Sequence, residues 1–395
     1  MAHRLNGTVY DFDMMEPFFL PFSQAAVDDL RLRLQQTRWP GILSGIGSTL
    51  GLDRDFLVDL CGYWMNTFDW ESHLDRFATL NHYRYQATEG YIHFIHARGE
   101  GASPMPLILT HGWPGSFLEM LRILPLLTHP ATYGHDAADS FDVVIPSLPG
   151  FGYSDKPGQL GMNVFRIAEI WVELMGALGY ERFAAQGGDL GAGVSTALGL
   201  RHSDRIIGIH LNYIPGSYRP HLPPDATPTQ SEENFLRTAA SWFDENGAYA
   251  HIQGTRPHTL AYALNDSPAG LAAWIVEKFL EWSDCDGDVY RSFTRDELLA
   301  SVTLYWMTET ICSSFRLYHE SRKAPLRFTP DDFVRVPCGI AQFPKEILFP
   351  PREWVERGYN VQRWSEMPRG GHFAAAEQPD LLAADIRAFF RPLRR

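Results

Sequence analysis

Cysteine is scarce in this chain of 395 residues: Cys61, Cys285, Cys312 and Cys338 are widely spaced and form no C-x-x-C pair. That usage fits free thiols in a reducing compartment better than a disulfide framework, so a cytoplasmic location is expected. No run approaches the roughly 18 consecutive apolar residues that a membrane span requires. The first residues lack the apolar stretch of a signal peptide, and the Asn6-Gly7-Thr8 sequon reads as chance without export. Basic clusters are also missing. A net charge of -13 argues against nucleic acid as a partner. Repeats, heptads and low-complexity tracts are absent. What is present is apolar surface to bury: 45% of residues are hydrophobic and 13% aromatic. The chain is longer than a typical single domain, so two or more compact units are expected.

Residues 18–75 read as helical and separate. Apolar residues recur at helical spacing over 25–34 behind Ser23 as a candidate N-cap, Trp39-Pro40-Gly41 stops the pattern, and 56–70 is a second helical stretch. Alternation then sets in over 82–87 and 91–97, turned at Thr88-Glu89-Gly90 as a hairpin. His93 and His96 lie three apart on a strand and therefore on opposite faces, which argues against a metal pair. Short buried strands next alternate with helices: 107–110 then 116–127, 143–146 then 163–178, 183–186 then a helix from Asp189, and 206–211. This rhythm predicts an α/β fold with a parallel sheet between helices and its site at the carboxyl ends of the strands. It breaks at Pro215, where an extended stretch to 233 leads into aromatic-rich helices over 269–282 and 296–318. Strands return at 336–343 and 361–367, and 379–390 is a final helix. The expected division is an N-terminal region 1–100, a first core segment 101–214, a helical lid 215–320 and a second core segment 321–395.

The densest chemical signal is Gly187-Gly188-Asp189-Leu190-Gly191, where a strand passes into a helix. Glycines two residues to either side of Asp189 give nucleophile-elbow spacing, with Asp where esterases carry Ser. A Gly-rich turn with Asp189 as a simple N-cap is the competing reading. Three further pieces decide between them. His111-Gly112-Trp113-Pro114-Gly115-Ser116 follows the first buried strand, where the Trp113 N–H can join that of Leu190 as an oxyanion hole. His111 reads as structural, and Trp113-Pro114 as a candidate cis peptide. Gly370-Gly371-His372-Phe373 puts an imidazole after the last strand. Glu346, in Phe343-Pro344-Lys345-Glu346, is the candidate acid; Asp331 and Asp332 compete but precede their strand, at the wrong end.

Together these motifs resemble the epoxide hydrolases, in the branch of microsomal and fungal members, over nearly the whole chain. Leu30-Arg31-Leu32-Arg33 and Thr37-Arg38-Trp39-Pro40 are similar to that branch's N-terminal domain. The resemblance implies an α/β-hydrolase fold with a helical lid and an N-terminal helical extension, and no cofactor or metal. It implies Asp189 as nucleophile, His372 as base, Glu346 as acid, and two lid tyrosines. Tyr249, in Tyr249-Ala250-His251-Ile252-Gln253-Gly254-Thr255, fits the first position. Tyr318, in Ser313-Ser314-Phe315-Arg316-Leu317-Tyr318, fits the second. Each could equally be lid packing, and Tyr262, Tyr290 and Tyr305 are the alternatives. The membrane anchor of microsomal relatives has no counterpart here, so membrane attachment is not carried over. The expected partners are a small apolar epoxide and water, with a homodimer possible.

The chemistry explains the residue types. An epoxide carbon is sp³, so attack by Ser would leave an ether, whereas a carboxylate leaves an ester that activated water can open. Phenols stay protonated at neutral pH and can donate to the ring oxygen. A haloalkane dehalogenase would share the Asp elbow, but that family's pattern places Trp directly after the nucleophile, where Leu190 stands. A catalytically silent ligand-binding protein on the same fold is the remaining alternative.

Overall fold

The computed structural model describes residues 15–394 apart from 42, 44 and 46, together with the backbone of a short strand pair at Arg4–Leu5 and Thr8–Val9. Asn6 and Gly7 of the sequon lie outside the described residues. The centre is a nine-stranded sheet. In chain order its strands are β1 (Met15–Pro17), β2 (His82–Ala87), β3 (Gly90–Ala97), β4 (Met105–Thr110) and β5 (Phe141–Pro146). They continue as β6 (Phe183–Gly187), β7 (Ile206–Leu211), β8 (Val334–Gln342) and β9 (Tyr359–Glu366). The spatial order is β9-β8-β7-β6-β4-β5-β3-β2-β1. From β9 to β5 every pairing is parallel, and the last three are antiparallel. Strands β4 to β7 are buried almost throughout, which explains their continuous apolar runs: helices cover a parallel sheet on both faces. The carboxyl ends of β4, β6, β7, β8 and β9 consequently open onto one edge.

Three helices separate β1 from β2: α1 (Gln24–Gln35), α2 (Arg54–Asn66) and α3 (Trp70–Phe77). Ser23 caps α1 as expected, accepting from the Ala26 N–H. The expected helix over 56–70 is instead two, because Thr67 ends α2 and Asp69 caps α3 through the Ser72 N–H. Between β6 and its neighbours run α4 (Val164–Ala177), capped by Asn163, and α5 (Asp189–Arg201), which pack on each other. The single helix expected over 116–127 is likewise two short pieces, Phe117–Met120 and Leu124–Thr128, the second with Pro125 in its first turn.

Six helices stand over the carboxyl edge: α6 (Gln230–Asn246), α7 (Ala248–Thr255), α8 (Pro257–Asp266), α9 (Pro268–Trp282), α10 (Arg295–Thr308) and α11 (Ile311–Lys323). Capping boxes Thr229/Glu232 and Thr294/Glu297 start α6 and α10. The expected continuous helix over 296–318 is divided at Glu309, whose φ of 52° reverses the chain between α10 and α11. The N-terminal helices lie against this layer: α1 and α2 pack on α9, and α3 on α10. Arg33 Nη1 meets Asp266 Oδ1 at 2.6 Å, and Arg295 Nη2 meets Asp59 Oδ2 at 2.6 Å. The last helix is α12 (Pro379–Phe390), packed on β8 and β7. Among the described residues, no helix is long and apolar enough to cross a membrane.

Candidate active site

Asp189 is the first residue of α5 and has φ +47°, a conformation that costs a non-glycine residue on the order of 1–3 kcal/mol. The turn holds because Gly187, Gly188 and Gly191 around it have no side chains. A Cβ on Gly191 would lie 1.9 Å from the Thr110 carbonyl oxygen, so the helix crosses β4 at a distance only Gly permits. Asp189 is not an N-cap: Gly188 occupies that place, and no side chain caps the helix. The Asp189 carboxylate points instead to the loop after β4, where Oδ1 accepts the Trp113 N–H at 2.8 Å. A Cβ on Gly112 would lie 2.3 Å from Asp189, which shows how closely that loop approaches. Leu190 is second in α5. The first intrahelical bond runs from the Ala192 N–H to the Gly188 carbonyl, so the Leu190 N–H has no helical acceptor.

His372 lies 3.5 Å from Asp189, Nε2 to Oδ2, and its Nδ1 donates to Glu346 Oε1 at 2.6 Å. That oxygen also accepts the Ile347 N–H at 2.7 Å. Burial alone would lower the proton affinity of His372. The Glu346 and Asp189 carboxylates outweigh it and hold the imidazole well above its ordinary value. Asp332 is engaged elsewhere, accepting from Thr329 N–H and hydroxyl, so of the competing acids Glu346 is the one brought to the imidazole. His111 is buried, donates from Nδ1 to the Gly112 carbonyl and accepts the Leu148 N–H at Nε2. Burial pushes it down to about 4, so it is neutral and braces its loop. Trp113-Pro114 is cis, as expected from sequence.

The helices over the carboxyl edge bring Tyr249 on α7 and Tyr318 on α11 to the same place. Trp113 stacks on Tyr249 with centroids 5.5 Å apart and meets Tyr318 edge-on at 5.8 Å. The two tyrosine rings meet each other edge-on with centroids 6.0 Å apart. Burial, then the Asp189 charge, pushes the Tyr249 phenol well up; Tyr318 is also raised, by burial first. Both remain protonated at neutral pH. The alternatives lie elsewhere: Tyr305 donates to the Gly115 carbonyl at 2.9 Å, Tyr290 sits under Arg295, and Tyr262 is 79% exposed. Asp189, Leu190, Tyr249 and Tyr318 line one cleft of about 510 Å³, together with Tyr213 and Phe243.

Two residues at the site were missed in the sequence. Tyr213 follows β7 and meets the His372 ring edge-on at 5.6 Å; its place just past a parallel strand was the available signal. Glu377 accepts the N–H groups of Phe373, Gly371 and Asp284 at 2.9, 3.2 and 2.7 Å, holding the His372 turn to the end of α9. No local pattern announces that role, because Asp284 is distant in sequence. His93 and His96 are separated as expected: His93 bonds His82 and Ser147, and His96 bonds Tyr180.

Known proteins resemble this chain in sequence and fold. The family model described as the epoxide hydrolase N terminus matches residues 15–120, and that of the alpha/beta hydrolase fold matches 105–255. Epoxide hydrolase 1 of Sus scrofa is 36% identical over 406 residues, covering 95% of this chain and 88% of its own. A relative from Stigmatella aurantiaca is 44% identical over 386 residues, covering 96% and 85%. The crystal structure of juvenile hormone epoxide hydrolase from Bombyx mori superposes with a TM-score of 0.85 at 29% identity, over 97% of this chain and 96% of that one. That of Aspergillus niger epoxide hydrolase gives 0.82 at 28%, over 96% of each. With identity of this degree along nearly its full length, the chain belongs to the epoxide hydrolases, enzymes of the α/β-hydrolase fold that carry their own N-terminal region.

Proposed function

We propose that this epoxide hydrolase works in two steps through an ester on Asp189. In the first, an Asp189 oxygen bonds to an epoxide carbon, the ring C–O bond breaks with its electron pair passing to the ring oxygen, and that oxygen takes a proton from the Tyr249–Tyr318 pair. In the second, water adds to the ester carbonyl and gives a proton to His372 Nε2. The Trp113 and Leu190 N–H groups hold the resulting oxyanion, each such donor being worth about 10²–10³ in rate. The diol oxygen leaves as an alkoxide and takes the remaining water proton from the Asp189 acid, which restores the carboxylate.

The observation that carries this reading is the line Glu346–His372–Asp189, with Asp189 at once fixed by the Trp113 N–H. It also supplies the timing. Between two carboxylates the resting imidazole holds a proton. Ester formation removes the Asp189 charge, so the imidazole releases that proton to the phenolate and becomes a base when one is needed. The aromatic walls of the cleft suit a small apolar epoxide. A lid over 215–320, on a core of 101–214 and 321–395 with an N-terminal region 1–100, is the domain division we adopt. The four free cysteines fit a cytoplasmic enzyme.

A single turnover in water labelled with heavy oxygen tests the two-step route. With enzyme in excess, the label should enter Asp189 and be missing from the first diol. Label in the first diol would mean direct attack by water and no ester.

A further inference from the structure

Lys278 lies within α9 with 6% of its surface exposed. An ammonium so placed needs compensation, since burying a charge without partners is costly. Part comes from the adjacent Glu277 carboxylate, with which it pairs. The rest comes from three rings: Nζ is 4.8 Å from the centroid of Tyr249, 5.7 Å from Trp282 and 5.9 Å from Trp274. All three fall within the ~6 Å reach of a cation–π contact. Two of these rings belong to the active site. Tyr249 stacks on Trp113, and Trp282 meets the His372 ring edge-on at 5.2 Å.

We propose that Lys278 is a positioning residue acting through Tyr249: its ammonium, held over the phenol ring, stabilises the negative charge that ring acquires as the epoxide opens, so it speeds ester formation and not ester hydrolysis. This rests on Tyr249 being a proton donor in the first step. In that step the O–H electron pair stays on the phenol as its proton moves to the ring oxygen. The attraction of the ring for a fixed cation therefore grows from that of a quadrupole towards that of a charge. An interaction stronger in the transition state than in the ground state is one that accelerates the reaction.

The other charges facing the site bear on the sign. Glu277 opposes the effect by favouring protonated Tyr249, and Glu281 lies near the same pair. The Glu277 side chain is 28% exposed, however, whereas that of Lys278 is 8% exposed. Water screens the carboxylate more than the ammonium, and removing the ammonium would leave the developing phenolate facing the Glu277 charge alone. A packing role alone, in which the cage only fastens α9, would give no such dependence on charge.

The test is to follow the two steps separately in Lys278→Met, Lys278→Arg and Glu277→Gln. Tryptophan fluorescence after rapid mixing with styrene oxide reports ester formation, and decay of the signal reports hydrolysis. Lys278→Met should slow ester formation on the order of 10- to 100-fold while hydrolysis changes less than about twofold. Lys278→Arg should recover most of the loss, and Glu277→Gln should speed ester formation. The proposal is overturned if Lys278→Met leaves ester formation unchanged, or slows both steps alike without rescue by Arg. Should Lys278→Met fail to fold, slower or unchanged ester formation in Glu277→Gln overturns it instead. If the wild type itself forms no ester, the two-step reading fails, a result distinct from either.

Discussion

Among the described residues, two imidazole–carboxylate pairs are buried on both sides, and only one of them sits at the cleft. His372 meets Glu346 at 2.6 Å, and His210 meets Asp385 at 3.0 Å. Both rings are nearly inaccessible, at 4% and 0% exposure. The difference is what the second nitrogen faces. In His372 it faces Asp189 beside the cleft. In His210, Nδ1 has no hydrogen-bond partner, and the ring lies against Phe389. The acids differ as well. Asp385 is saturated by Arg363, Ser365 and His210, whereas Glu346 has Oε2 unpartnered. An imidazole backed by an acid is therefore not yet a base. It becomes one when its free nitrogen reaches a place that water and substrate can enter, as the loops beyond a parallel sheet arrange for His372.

The comparison breaks most visibly by removing the acids. Glu346→Gln should slow ester hydrolysis by about 10⁴-fold, since the imidazole loses its orientation and the charge that favours its protonated form. Single-turnover decay of the ester measures it. If Asp385→Asn, corrected for folded fraction, slowed turnover as much, the distinction between the pairs would be wrong. A smaller effect is expected on the lid side: Tyr249→Phe should slow ester formation by about 10²-fold and leave ester decay little changed. Equal loss in both steps would remove the phenol from the first.

The smallest effect separates the pairs by pH. Burial would raise Asp385, but His210, Arg363 and Ser365 overcome it and hold it at about 2. Its contribution to stability, about 2 kcal/mol, is present above its ordinary value near 3.8 and lost as pH falls towards 2. His372 runs the other way. Raised in the fold, it stabilises fully below its ordinary value near 6.5, and the contribution fades as pH rises through the higher folded value. Denaturant titrations should thus show Asp385→Asn lacking the acid-side loss and His372→Gln lacking the alkaline-side one. A common pH window for both variants would refute the assignment.

Much of this was legible in the residues, and the exceptions have physical reasons. Strands β4 to β7 announced themselves because a sheet buried on both faces needs continuous apolar runs. The elbow was legible only in company: Gly187 and Gly191 alone fit a Gly-rich helix cap equally well, and the Trp113 loop, Glu346 and His372 decided between the two. Helix interruptions were not: Thr67 and Glu309 are ordinary residues whose chain reversals are imposed by what the flanking helices pack against. Tyr213, Glu377 and Lys278 were missed for a similar reason. Their partners, His372, Asp284 and Tyr249, are distant in sequence, and a lysine in an apolar helix shows no sign of the rings that will surround it.

The most direct test of the central claim is the intact mass of His372→Gln after incubation with an excess of styrene oxide. The account predicts a stable adduct equal to one epoxide, released by proteolysis on the peptide that contains Asp189, and diol from the wild type. No adduct under conditions where the wild type makes diol, or an adduct on any other residue, would contradict it.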